Sequence, residues 1–98
     1  MEVIMKSALV AAENALEEIT LIAEAHGRAR QHERRERLQN KAAALASDIS
    51  SVTAKALGEF AGLPRRTEVE LRRMDLLVAL REEIYQLHDR IQRRSSER

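Results

Sequence analysis

The stretch MEVIMKSALVAAENALEEITLIAEAHG, residues 1–27, decides the fold. Met5, Leu9, Ala12, Leu16, Ile19, Ala23 and His26 follow one another at steps of three and four, the signature of a heptad seam along a helix. Ile4, Ala8, Ala11, Ala15 and Ile22 lie beside that seam and widen it into the face of a bundle helix, with Glu13, Glu17, Glu18 and Glu24 on the other side. The many alanines permit close approach of a neighbouring helix. The spacing predicts a helix over about residues 2–26. Gly27 suits a C-cap, and a glycine within a longer helix costs only about 1 kcal/mol, so both readings stand, with a turn near residues 26–30 preferred.

Working outward, RARQHERRER (residues 28–37) holds good helix formers and pairs such as Glu33 with Arg37, but almost nothing apolar, so it must be solvated. Apolar positions resume at Leu38, Ala42, Leu45, Ile49, Val52, Ala56 and Phe60, which predicts a second helix over about 30–61, weakened locally by Ser47, Ser50, Ser51 and Thr53. Gly58 and Gly62-Leu63-Pro64 end it, since glycine tolerates a left-handed cap and proline disfavours helix at the preceding residue. Thr67 and Glu70 then form a Thr-x-x-Glu capping box, opening a third helix over about 67–94. Its seam is Leu77, Leu80, Ile84, Leu87 and Ile91, with Leu71, Met74 and Val78 offset and Leu76 outside it. The tail 95–98 is expected to fray.

The chain has 98 residues, 44% of them hydrophobic and 34% charged, and 24 are Leu, Ile, Val or Phe. That suits one small domain spanning 1–98 with a thin core and argues against disorder. With no cysteine, disulfides, thiolate zinc sites and cysteine nucleophiles are excluded, and a cytoplasmic location is expected. The acidic opening helix lacks an uninterrupted apolar run, so no export or membrane segment is expected and the chain is read as starting near Met1. Its acidic polar face also disfavours an anionic lipid surface. Three helices of this length would be about 35–50 Å long and leave Val10, Leu21, Leu57 and Leu76 outside their seams. The fold class is therefore all-α: an elongated helical hairpin or three-helix bundle with coiled-coil-like seams, completed by dimerisation.

The net charge of +1 hides a dipolar layout: −4 over residues 1–26, +4 over 27–41, −1 over 42–64 and +2 over 65–98. Of the 17 basic residues 14 are Arg. Arg28, Arg30, Arg34, Arg35 and Arg37, with Arg65, Arg66, Arg72 and Arg73, are the candidates for contact with a partner or with phosphates; a solvated, salt-bridged face is the plainer interpretation. Phe60 and Tyr85 are the only aromatics, so base stacking has little support, and Tyr85 joins the candidates for protein contact on the third helix.

His26, His32 and His88 form no metal-ligand pattern, and His26 is read as a helix-end cation; no metal or cofactor is expected. No phosphate loop, nucleophile elbow or acidic metal cluster occurs. The stretch ALREEIYQLHDRI (residues 79–91) resembles the first helix of the all-helical chorismate mutases, and that resemblance implies a carboxylate contact for Arg81. It covers about a tenth of the chain, His88 stands where the family has Asp, and no helices follow to complete such a site. The chain is thus read as non-enzymatic, a protein-interaction module that pairs with itself and with another protein, as a small adaptor, chaperone or regulatory inhibitor. The alternative is an accessory protein that contacts nucleic-acid phosphates through its arginines.

Overall fold

The computed structural model describes the backbone of residues 2–62 and 67–96 and the side chains of 4–62 and 67–93. Three helices follow one another: α1 (Glu2–Arg28), α2 (His32–Ala61) and α3 (Glu68–Ser96). Among the described residues there is no strand. A three-residue connection, Ala29 to Gln31, forces α2 back along α1, and each helix packs on both others in a rod of 52 × 19 × 17 Å. Two bridges set the antiparallel register of α2 and α3: Arg81 donates to Ser50 Oγ at 3.4 Å, and Gln92 Nε2 donates to the Gln39 carbonyl at 3.2 Å. They stand 11 residues apart on both helices, three turns each.

Both ends of the second connection obey local chemistry. The capping box forms as the sequence implies, with Glu70 N–H donating to Thr67 Oγ1 at 3.2 Å and Thr67 N–H donating to Glu70 Oε1 at 3.3 Å. Gly62 caps α2 in the right-handed region, at φ −80° and ψ −5°, and its N–H donates to the Glu59 carbonyl at 3.2 Å. The left-handed cap expected there is not used. Nor does Gly27 end α1, which runs one residue further, to Arg28; the turn follows at 29–31. Helix α2 begins at His32 rather than 30, and α3 runs two residues past its expected end, to Ser96. Leu63, Pro64, Glu97 and Arg98 lie outside the described residues.

The core differs from the apolar seams in an instructive way. On α1 the buried line is Met5, Ala8, Ala12, Ala15, Ile19, Ile22 and His26, while Leu9, Leu16 and Ala23 move to its half-buried margin. Ile4, placed on the core face by its spacing, is exposed. On α2 the line is Ala42, Ala46, Ile49, Thr53, Ala56 and Phe60; Val52 is 43% exposed. Thr53 takes that inner place because its hydroxyl donates to the Ile49 carbonyl at 2.6 Å, which satisfies the polar group within its own helix. Leu57, left outside the seam by its spacing, packs against the core. On α3, Leu77, Ile84 and Ile91 are buried at the expected positions, flanked by Leu80 and Leu87.

This register is checkable by chemical denaturation. Ile49→Ala should cost about 2–5 kcal/mol and Val52→Ala well under about 1 kcal/mol; the reverse order would return Val52 to the core. Thr67→Ala should cost about 1 kcal/mol by removing the cap, measured the same way.

Candidate functional site

Antiparallel packing sorts the candidate arginines. The C-terminal turn of α1, the first turns of α2 and the last turns of α3 share one end of the rod, so Arg28, Arg30, Arg34, Arg35 and Arg37 collect there. Lys41, the last residue of the basic stretch 27–41, joins them, as do Arg90 and Arg93 of α3. The signal for Arg90 and Arg93 was topological: an antiparallel α3 brings its last turns beside the α1–α2 connection. Arg72 and Arg73 lie at the other end, in the first turns of α3, where Arg72 donates to Glu68 at 2.9 Å in a fully solvated pair of little energetic weight. Arg73 is half-buried. Arg65 and Arg66 lie outside the described residues. Tyr85 stands mid-rod on the α2–α3 side, half-buried, with the Arg81 guanidinium 5.2 Å from its ring centre.

Three open clefts mark the basic end. One of about 380 Å³ is lined by Ala25, Arg28, Ala29, Arg30, Gln31 and Arg34. Arg34 and Gln31 continue into a second of about 230 Å³ with Arg37, Leu38 and Lys41. Arg28 also borders a third of about 480 Å³ between α1 and α3, which reaches Leu87 and Arg90. Among the described residues none of Arg28, Arg30, Arg34, Arg35, Arg37, Lys41, Arg90 or Arg93 makes an ion pair, although Glu33 stands four residues before Arg37. Asp89, the nearest acid to Arg90 in the chain, has His88 Nδ1 3.1 Å from its Oδ1.

Helix electrostatics make the arrangement more unusual. Arg28 in the last turn of α1 and Arg93 in the last turn of α3 stand at the negative ends of their helices, which favours them. Arg34 and Arg35 face the positive end of α2, where Glu33 is the only acid in the first turn and the Gln31 N-cap side chain makes no capping bond. Cations there are unfavourable. Nothing in the helix itself accounts for them.

His26 stands in the last turn of α1, where the sequence puts it at the end of the apolar seam, and it is fully buried there. Arg81 is engaged by Ser50 and Tyr85 and borders none of the three clefts. Among the described residues no three His, Asp or Glu side chains gather as metal ligands, and no helix is long and apolar enough to cross a membrane.

A second feature runs along the α2–α3 side. From Ala43 to Ala61 the exposed positions of α2 on its α3 side are Ala43, Ser47, Ser51, Ala54, Gly58 and Ala61, none of them charged. Beside them α3 exposes Leu71 (39%) and Val78 (41%), in line with Tyr85 at seven-residue spacing. Glu68, Asp75, Glu82 and Asp89, all exposed, repeat at the same spacing and edge this stripe. No protein family, curated protein or solved structure matches the chain.

The electrostatic account of the α2 terminus is testable. Arg34→Glu should raise thermal stability at low salt, by a few tenths of a kcal/mol to about 1 kcal/mol, and the gain should shrink at about 1 M salt. A drop in stability would mean that Arg34 is held by contacts within the fold.

Proposed function

We propose that the chain is a non-enzymatic protein-interaction module, a small adaptor, chaperone or regulatory inhibitor, that pairs with a second copy of itself through the α2–α3 side. The observation that carries this reading is the uncharged α3 side of α2 beside exposed Leu71 and Val78, in a chain of which 34% is charged. Small side chains let a second helix approach closely, and the larger apolar ones of α3 give it something to bury against.

The flanking charges suit a two-fold pairing. The acidic column of α3 edges the stripe on one side, and Lys41 and Lys55 lie exposed on the far flank of α2. With α2 of each copy laid against α3 of the other, each acidic column faces the other copy's lysines. Nineteen residues of α2 span about 28 Å, and across the 19 Å width of the rod this offers on the order of 500 Å² per copy. That lies near the lower limit for a specific pair, in keeping with a module that exchanges partners.

Light scattering on a size-exclusion column tests the pairing: twice the chain mass of 11.2 kDa is expected. Leu71→Glu with Val78→Glu should return the single-chain mass with helicity retained, since both side chains are solvated within one copy. Gly58→Ala supplies a second readout. Among the described residues nothing beyond its own neighbours and helix backbone lies within 4 Å of the added methyl, so the bundle should gain about 1 kcal/mol from helix propensity while the pair weakens. A single-chain mass for the unaltered protein, or an unchanged mass in the double variant, would overturn the pairing.

A further inference from the structure

We propose that the arginine-rich end of the rod is a binding surface for the phosphate backbone of double-stranded nucleic acid. This surface meets the proposed pairing surface only at Lys41. It draws Arg28 and Arg30 from the end of α1 and its turn, Arg34, Arg37 and Lys41 from α2, and Arg90 from α3, onto one end about 19 × 17 Å across. That width matches about half a turn of B-form duplex, enough to meet several phosphates at once.

Three observations point to an external anion. These guanidinium and ammonium groups make no ion pair among the described residues, with Glu33 and Glu36 close in sequence. Clustered cations repel, and those at the start of α2 also oppose its dipole, so the cluster weakens the fold that carries it. The side chains border open clefts rather than a closed pocket: Arg34 lines two and Arg28 two, a form suited to an extended polyanion more than to one small anion.

The aromatics indicate which polyanion. Single-strand binders stack bases on exposed rings. Here Phe60 is buried near the opposite end, and Tyr85 is half-buried mid-rod under Arg81. Phosphate contact without base stacking or an inserted recognition helix describes a duplex held by its backbone with little regard to sequence. Arginine favours this further, because its planar fork of donors takes two phosphate oxygens at once.

The test is fluorescence anisotropy of a labelled duplex of about 20 base pairs and arbitrary sequence, titrated with the full chain at several salt concentrations. The logarithm of affinity should fall linearly with that of salt, with a slope of about −3 to −5 for four or five neutralised phosphates. Arg34→Gln, Arg37→Gln and Arg90→Gln together should lower affinity at least about tenfold at low salt and flatten the slope by about one unit for each phosphate that is no longer neutralised. Lys6→Gln with Arg72→Gln, both exposed at the opposite end of the rod, should change neither, and circular dichroism should report the same helicity for all variants. The proposal is overturned if the duplex is not bound at about 50 mM salt, or if the two sets of variants weaken it equally. Tighter binding of a single strand, or displacement of the duplex by polyglutamate at equal charge, would also overturn it, the latter in favour of an acidic protein partner.

Discussion

Alanine sets the spacing of this bundle. Ala8, Ala12 and Ala15 on α1 and Ala42, Ala46 and Ala56 on α2 are all buried, so along much of their length these two helices present single methyl groups inward. The larger core side chains come from Leu77, Ile84 and Ile91 of α3, joined by Ile19, Ile49 and Phe60. Every other feature follows from that division. Small residues at the contact draw helix axes towards the short end of the usual 8–10 Å separation, and the rod is accordingly only 17–19 Å across.

Close approach also explains where the apolar pattern of the sequence matches the core and where it departs from it. The α3 seam was legible because Leu77, Ile84 and Ile91 are both the most hydrophobic side chains of their turns and the ones that fit the space left by alanine. On α1 those two criteria part. Leu9 and Leu16 outrank Ala8 and Ala15 in hydrophobicity, yet the position nearest the axis has no room for a leucine, so the alanines take the centre and the leucines cover the margin. Val52 and Thr53 part in the same way on α2. Thr53 is admitted because a threonine hydroxyl can bond to the carbonyl four residues back, which hydropathy alone does not credit. The capping box, by contrast, was readable from Thr67 and Glu70 because its bonds are local and owe nothing to packing.

The basic surface was half legible for a related reason. A run such as RARQHERRER announces itself in one dimension, but Arg90 and Arg93 belong to the same surface only because α3 ends where α2 begins. The same topology separates Arg72 and Arg73 from it by most of a 52 Å rod. Pairing was the part the sequence did not reveal. Spacing of three or four puts a carboxylate within reach of an arginine, but an exposed pair gains so little over solvent that reach does not become contact, as with Glu33 and Arg37.

Composition does not require this separation of charge. Sixteen acids stand against 17 basic residues, enough to neutralise the arginines locally. Instead Glu68, Asp75, Glu82 and Asp89 form a column along α3, further acids lie on the outer side of α1, and Glu24, Glu33 and Glu36, which stand among the basic residues of the α1–α2 end, make no ion pair with them among the described residues. In an antiparallel bundle the dipoles of α1 and α3 oppose that of α2, so one end meets two negative termini and one positive. Arg28 and Arg93 answer the two; Arg34 and Arg35 contradict the one. A fold with a thin core gains no stability from that contradiction, which an opposing charge from outside the chain would relieve.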